Sequence, residues 1–202
     1  MSNLVPDPAA APAQTVRIVN IANGLTVLRL LMVPVFAMLL VHHRGEDPGW
    51  RLAAAAAFVG ASLTDQLDGH VARSRGLITD FGKLADPIAD KALTGTALVG
   101  LSALDLLPWW ITLVILSREI GVTVLRFWVI RHGVIPASRG GKLKTLLQAI
   151  AITLALLPGA AVTRPAMWVM VAAVAVTLVT GGDYVMRAVT VRRADRRAPG
   201  VG

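Results

Sequence analysis

The amino-acid sequence predicts an all-α, polytopic membrane protein with six transmembrane helices. Hydrophobic residues make up 55% of its 202 residues and charged residues only 16%, which is too apolar for an ordinary soluble domain. The apolar runs are about 20 residues long, the length that a helix needs to cross roughly 30 Å of hydrocarbon. One membrane domain, residues 15–190, is therefore expected between a disordered tail at 1–14 and a basic tail at 191–202.

Six apolar spans follow one another along the chain, and the sequence marks each break between them. The predicted spans are 24–42, 51–73, 86–107, 109–130, 143–162 and 165–187. The breaks, rich in Gly, Pro or charge, contain in order HHRGEDPG, SRGLITDFGK, Leu107-Pro108, RHGVIPASRGG and Thr163-Arg164-Pro165. A soluble helix bundle would need polar outward stripes, which spans such as RLAAAAAFVGASL lack.

Positive charge predicts the orientation of the spans, because loops rich in Lys and Arg stay cytoplasmic. The second break, the fourth break and the C-terminus carry most of these residues, whereas only Arg44, Arg51 and Arg164 fall at the opposite ends. Both termini are therefore expected in the cytoplasm. The net charge of +8 favours contact with anionic lipid headgroups and phosphate substrates over nucleic acid in so apolar a chain.

Composition also limits the chemistry that the chain can perform. It contains no cysteine, which excludes disulfides, thiolate metal sites and cysteine nucleophiles. Any metal must therefore be held by oxygen or histidine ligands.

Five of the twelve acidic residues lie within 26 positions, at Asp65, Asp68, Asp80, Asp86 and Asp90. A carboxylate near hydrocarbon costs a few kcal/mol, so such a cluster indicates function. Asp65 and Asp68 are three residues apart and share one helix face, as do Asp86 and Asp90, four apart. The two pairs end one span and begin the next, where they can converge. Carboxylates packed together need cations, and oxygen ligands suit Mg²⁺ or Mn²⁺.

The neighbours of these aspartates favour a metal-bound pyrophosphate. Gly69 and Ala72 continue the helix face of Asp65 and Asp68, and their small size lets a bulky substrate approach the backbone. Arg73 supplies charge for phosphate oxygens, and Thr79 and Gly82 in the following loop offer hydroxyl and backbone donors. An ion transporter would need polar groups at several depths, whereas these acids crowd at one membrane face. Ordinary helix-cap carboxylates are the simplest alternative.

The motif formed by these residues resembles the complete signature of the CDP-alcohol phosphotransferase family. It is Asp65-x-x-Asp68-Gly69-x-x-Ala72-Arg73, eight residues, then Gly82-x-x-x-Asp86-x-x-x-Asp90. The resemblance implies a six-helix fold in a bacterial cell membrane, usually dimeric, with two divalent ions, Mg²⁺ or Mn²⁺, in a cytoplasm-facing cavity. It implies that Asp90 is the general base and that the metal ligands are Asp65, Asp68, Asp86 and Asp90. It also implies CDP-diacylglycerol contacts at Gly69, Ala72, Arg73, Thr79 and Gly82.

Two further segments resemble the phosphatidylglycerophosphate synthases within this family. The first, residues 20–29, implies CDP-diacylglycerol binding by Asn23, Thr26 and Arg29, for which helix capping and interface anchoring are the alternative. The second comprises Ser117-Arg118-Glu119, Leu125-Arg126 and residues 136–148. Glycerol 3-phosphate is a small dianion that needs several cations, and the predicted acceptor-phosphate contacts are Arg118, Arg126, Ser138, Lys142 and Lys144.

Several interpretations of the acceptor segment remain open. Inositol phosphate would suit the same basic pocket, whereas phosphatidylglycerol, the acceptor of a cardiolipin synthase, needs room for a second lipid and less concentrated charge. Arg118 and Glu119 could instead form a structural pair within the membrane. Lys142 and Lys144 could be ordinary positive flanks of a span.

Overall fold

The computed structural model describes the backbone of residues 21–74, 80–129 and 139–197, and most of the side chains within these ranges. Their regular structure is entirely helical, as the sequence predicts. The six α-helices are α1 (Ile21–Val41), α2 (Pro48–Ser74), α3 (Asp80–Ala103), α4 (Trp109–Val129), α5 (Arg139–Leu156) and α6 (Ala160–Arg197). A short 3₁₀ helix, His42–Gly45, follows α1.

The helices pack around a common apolar core. Helix α1 contacts α2 and α3, α6 contacts α4 and α5, and α2 also contacts α5. Buried side chains from all six helices form one cluster, in which the rings of Phe36 and Phe58 lie 5.8 Å apart. Burial of these side chains aligns the helices, and it brings the beginnings of α1 and α3 to the same region of the bundle.

The break between α1 and α2 has clear local causes. The side chain of Asp47 caps α2, because its Oδ1 accepts the backbone N–H groups of Gly49 at 2.8 Å and Trp50 at 3.1 Å. Pro48 is the first residue of the helix, where its missing N–H would have no intrahelical partner. The sequence signal HHRGEDPG therefore marks a real helix boundary.

Two glycines allow the end of α1 and the 3₁₀ helix to approach the second half of α3. A Cβ atom at Gly100 would lie 2.5 Å from Cδ2 of Leu40, which is fully buried. A Cβ atom at Gly45, which has a φ of +70°, would lie 2.7 Å from Cδ1 of Leu104. Neither position has space for a side chain, so the contact between these segments is close.

The predicted position of the break after the fifth span is wrong. The break after the fifth span lies at residues 157–159, not at Thr163-Arg164-Pro165. Pro158 disfavours helical geometry at the residue before it, and Gly159 adopts a φ of +112° that other residues rarely take. Pro165 lies inside α6, and this helix continues to Arg197, past the predicted end of the sixth span at 187.

Arg51 joins the beginning of α2 to the end of α5. Its Nη2 donates to the carbonyl oxygens of Ala155 at 2.8 Å and Leu157 at 3.0 Å, and its Nε donates to that of Leu156 at 3.2 Å. Carbonyls at the end of a helix lack intrahelical partners and carry partial negative charge. The guanidinium therefore caps α5.

Two helices are long and apolar enough to cross a membrane, Asn23–Gly45 and Ala160–Thr190, within the described part of the chain. Large apolar side chains also cover the outside of the bundle, and Met38, Trp168 and Val179 are each more than 70% exposed. Such a surface suits hydrocarbon rather than water. Charged residues inside α3 and α4 lower their hydropathy, and the crossing of the membrane by all six helices stays a prediction.

Candidate active site

Helix α1 buries its polar face and exposes apolar side chains. Asn23, Thr26 and Arg29 are three residues apart, so they share one face, and each is at most 5% exposed. Val27 and Leu28 beside them are exposed. This arrangement is the reverse of a soluble amphipathic helix, and it directs three residues of the predicted donor site into the bundle.

The hydroxyl of Thr26 meets one of the predicted metal ligands. Its Oγ1 donates a hydrogen bond to Oδ1 of Asp86 over 2.5 Å. Asp86 and Asp90 are half-buried and one turn apart on α3, so they share a face of that helix. Thr26 thus fixes the direction of the Asp86 carboxylate, a contact between α1 and α3 that sequence spacing does not reveal.

The first aspartate pair lies on the neighbouring helix. Asp65 and Asp68 belong to the last part of α2, as do Gly69, Ala72 and Arg73, and the side chains of all five lie outside the described part of the structure. Only five residues separate the end of α2 from the start of α3, so the two helix ends lie within about 20 Å of each other. Helices α2 and α3 also contact one another.

In the sequence, two predicted donor residues, Thr79 and Gly82, lie in or next to the segment between α2 and α3. Gly82 was expected in a loop but belongs to the first turn of α3, because the helix begins at Asp80. An aspartate is favourable at the first position of a helix, which Asp80 occupies in α3, since the N-terminus of a helix carries partial positive charge. Thr79 lies outside the described residues.

The chemistry of the available groups fits a divalent metal ion. Carboxylate oxygens are the ligands that Mg²⁺ and Mn²⁺ prefer, and hydrogen bonding orients such ligands. The described side chains contain no group of three or more acidic, His or Cys residues close enough to hold a metal. The predicted site would need Asp65 and Asp68 beside Asp86 and Asp90.

A second group of charged side chains surrounds Glu119 on α4. Its Oε1 accepts a hydrogen bond from Nζ of Lys144 and lies 3.3 Å from Nη1 of Arg118. Its Oε2 lies 3.5 Å from Nζ of Lys91, the residue directly after Asp90. We call these four residues the Glu119 cluster. Three cations and one anion leave it a formal charge of +2.

Arg118 connects the Glu119 cluster to α6. Its Nη2 donates to Oγ1 of Thr180 at 3.2 Å, and its stem packs on Gly181, where a Cβ atom would lie 3.2 Å from Cγ of the arginine. Nε of Arg118 and Oε1 of Gln148 are buried without a hydrogen-bond partner among the described residues. Buried polar atoms of this kind are costly unless a ligand or water satisfies them.

The predicted acceptor residues therefore divide into two sets. Arg118 and Lys144 meet at Glu119, whereas Lys142 is exposed on α5. Arg126 lies on α4 with its side chain outside the described part, and Ser138 lies outside it altogether. Lys91, Glu119 and Gln148 are not among the site residues that the sequence predicted. The sequence signal that could have identified two of them is that Lys91 follows Asp90 and Glu119 follows Arg118.

Comparisons with known proteins agree with the sequence motif. The family model for CDP-alcohol phosphatidyltransferase matches residues 19–179. A Mycobacterium tuberculosis protein named "Probable phosphatidylglycerophosphate synthase" is 56% identical over 173 residues, which are 85% of this chain and 83% of the relative. The CDP-diacylglycerol–glycerol-3-phosphate 3-phosphatidyltransferase of Bacillus subtilis is 39% identical over 182 residues, 82% of this chain and 93% of the relative.

A cardiolipin synthase (CMP-forming) of Streptomyces coelicolor is also similar, with 38% identity over 126 residues. That match covers 61% of this chain and 57% of the relative. The stretch that the family model matches contains both aspartate pairs and the whole Glu119 cluster. The chain therefore belongs to the CDP-alcohol phosphatidyltransferase family and is a membrane-bound transferase.

Proposed function

We propose that this protein transfers a phosphatidyl group from CDP-diacylglycerol to glycerol 3-phosphate, with phosphatidylglycerophosphate and CMP as products. The Glu119 cluster is the observation that carries this proposal, because its formal charge of +2 complements a phosphate dianion and it begins one residue after Asp90. The names of the M. tuberculosis and B. subtilis relatives support the same acceptor.

The donor is expected between the aspartates and the polar face of α1. Arg73 binds a pyrophosphate oxygen, and Gly69, Ala72, Thr79 and Gly82 form the surface against which the CDP moiety lies. Asn23, Thr26 and Arg29 complete this pocket from α1, where the structure buries them. Two Mg²⁺ or Mn²⁺ ions held by Asp65, Asp68, Asp86 and Asp90 would neutralise the pyrophosphate and make CMP a better leaving group.

The acceptor is held by its phosphate and activated at its hydroxyl. Arg118 and Lys144 bind the phosphate dianion, which places the hydroxyl beside Asp90. Asp90 removes the hydroxyl proton as the oxygen attacks the phosphorus attached to diacylglycerol. The bond from that phosphorus to the CMP oxygen breaks, and CMP leaves with the electron pair. No covalent enzyme intermediate is required.

The arrangement in the cell is part of the same proposal. Both termini and the active site face the cytoplasm of a bacterium, where glycerol 3-phosphate and CMP are soluble, and the chain forms a homodimer in the cell membrane. The positive charge of the second and fourth breaks supports this orientation. The family resemblance supports the dimer.

An acceptor comparison tests the function. Purified protein is given CDP-diacylglycerol with Mg²⁺ or Mn²⁺, and CMP release is measured with glycerol 3-phosphate, inositol phosphate, phosphatidylglycerol or serine. We expect the highest kcat/KM with glycerol 3-phosphate. Faster turnover of inositol phosphate or phosphatidylglycerol would replace the proposed acceptor, and no CMP release with any of the four would overturn the activity.

A further inference from the structure

We propose that Glu119 is a positioning residue of the acceptor site, which holds Lys144 and Arg118 in the geometry that binds the acceptor phosphate. This inference rests on the proposed function. The carboxylate interacts with cations from three helices, Lys91 of α3, Arg118 of α4 and Lys144 of α5. It is the one anion in contact with all three cations among the described residues.

Lys144 needs a partner to stay where it is. The residue is only 7% exposed, and a buried ammonium group is unfavourable unless a counter-charge compensates it. A lysine side chain also has four flexible carbon–carbon bonds, so little else fixes the position of its Nζ. The hydrogen bond to Oε1 of Glu119 supplies both the counter-charge and the direction.

Arg118 is fixed from two sides. Nη1 contacts Glu119 at 3.3 Å, and Nη2 donates to Thr180 at 3.2 Å, while the stem lies on Gly181. The planar guanidinium therefore has one orientation, and its buried Nε has no partner among the described residues. A phosphate oxygen is a suitable acceptor for that N–H group.

Charge and positioning predict opposite effects when Glu119 is neutralised. Glu119→Gln raises the formal charge of the cluster from +2 to +3, so a role in charge alone would tighten phosphate binding and lower the KM for glycerol 3-phosphate. If Glu119 instead positions the cations, its loss lets the positive charges of Lys91, Arg118 and Lys144 repel one another. Lys144 then turns away from the acceptor phosphate. The KM for glycerol 3-phosphate then rises, by roughly 10-fold for one lost charge-assisted contact.

A double-mutant cycle with Lys144 tests this inference. Initial rates are measured over a grid of both substrate concentrations for the wild-type protein, Glu119→Gln, Lys144→Met and the double variant. We expect Glu119→Gln to raise the KM for glycerol 3-phosphate and to leave that for CDP-diacylglycerol within about twofold. The same change should raise this KM by a smaller factor in the Lys144→Met background, because the part of its effect that passes through Lys144 is then already lost.

Two further variants complete the test. Glu119→Asp keeps the charge but shortens the side chain, so it should raise the KM for glycerol 3-phosphate by a smaller factor than Glu119→Gln. It also provides a test of the inference if Glu119→Gln does not fold. Asp183→Asn removes an exposed carboxylate that pairs with Arg187, and it should change neither KM. A lowered or unchanged KM for glycerol 3-phosphate in both Glu119 variants, or equal changes for both substrates, would overturn the positioning role.

Failure of the proposed function gives a different result. A wild-type protein that prefers another acceptor contradicts the acceptor assignment alone, and the cycle is then repeated with the preferred acceptor. If the preferred acceptor lacks a phosphate monoester and Glu119→Gln leaves its KM unchanged, both the acceptor assignment and the positioning role of Glu119 are overturned.

Discussion

Thr26 donates its hydroxyl to Oδ1 of Asp86 over 2.5 Å, and this hydrogen bond joins two residues that are 60 positions apart. Thr26 was predicted to bind the donor, and the structure adds a contact with a predicted metal ligand. Thr26 is 1% exposed, so its hydroxyl is shielded from water, while Asp86 is half-buried. The first helix therefore participates in the geometry of the aspartates.

Thr26→Val should weaken metal binding. Valine keeps the shape of threonine but cannot donate, and loss of a hydrogen bond to a charged group costs about 1.5–3 kcal/mol, or roughly 10- to 150-fold. Mn²⁺ titration followed by electron paramagnetic resonance, without substrate, measures the affinity directly. Thr190→Val is the matched control, because that hydroxyl donates to the carbonyl of Met186 on its own helix and has no other partner among the described residues. Equal Mn²⁺ affinity in both variants would contradict the positioning of Asp86 by Thr26.

Asp86→Asn should abolish transfer without unfolding the protein, and Asp65→Asn and Asp68→Asn should do the same. Each change removes a charged ligand and, in the metal-free protein, the repulsion between carboxylates, and Asp86→Asn keeps an oxygen that can accept the hydrogen bond from Thr26. CMP release measures the activity, and thermal unfolding with and without Mn²⁺ measures the stability. We expect equal or greater stability without metal and a smaller gain on adding Mn²⁺. Near-wild-type turnover at saturating metal would rule out the metal site.

The two lysines of α5 should differ in their effect on the acceptor. Lys144→Ala removes a buried cation of the Glu119 cluster and should raise the KM for glycerol 3-phosphate by roughly 10- to 150-fold. Lys142 is exposed, so Lys142→Ala should raise the same KM by a smaller factor. Arg73→Ala should instead raise the KM for CDP-diacylglycerol. Initial rates over both substrate concentrations separate these patterns, and a Lys144 effect on the donor alone would exclude the acceptor pocket.

Arg51→Gln should lower stability and leave both KM values unchanged. The variant loses charge-assisted hydrogen bonds to the last carbonyls of α5, a cost of about 1.5–3 kcal/mol, or an unfolding midpoint about 3–12 °C lower. Thermal unfolding in detergent measures this shift. Arg164→Gln is the control, because Arg164 is an exposed cation near the start of α6. Equal midpoints for the two variants would show that Arg51 does not stabilise α5.

The orientation can be tested with single cysteines, since the chain has none. Glu46 is exposed between α1 and α2, and Thr190 is exposed near the end of α6. A membrane-impermeant maleimide added to intact cells should label Glu46→Cys and spare Thr190→Cys. The reverse pattern would invert the proposed topology. Gly45 is unsuitable for this purpose, because its positive φ and its contact with Leu104 leave no space for a side chain.

Hydropathy predicted the six α-helices of the described residues because each contains a long apolar run, which is a property of residues adjacent in sequence. The break after the fifth span was misplaced because two nearby prolines, Pro158 and Pro165, could each mark the boundary between two helices. Pro158 is followed by Gly159, which takes the positive φ of the turn, whereas Pro165 is accommodated within α6. The sequence alone does not show which of the two prolines is compatible with the packing of a helix.

The candidate site shows the same limit. Spacing was enough to place Asp86 and Asp90 on one face of α3, because both belong to one helix. It could not predict that Glu119 meets Lys144, 25 residues later, since that contact depends on how α4 and α5 pack. The sequence motif therefore predicts the reacting groups, and the structure adds the contacts of Asp86 with Thr26 and of Lys144 with Glu119.

The close contact of Leu40 with Gly100, and of Gly45 with Leu104, has a mechanical consequence. These contacts lie at the end of α1 and in the second half of α3, whereas Thr26 and Asp86 lie near the beginnings of the same helices. When two helices are in close contact at one end, a change in the angle between them moves their other ends apart the most. The glycines therefore hold the end of α1 close to the second half of α3, so a change in the angle between these two helices would displace Thr26 and Asp86 more than Leu40 and Gly100.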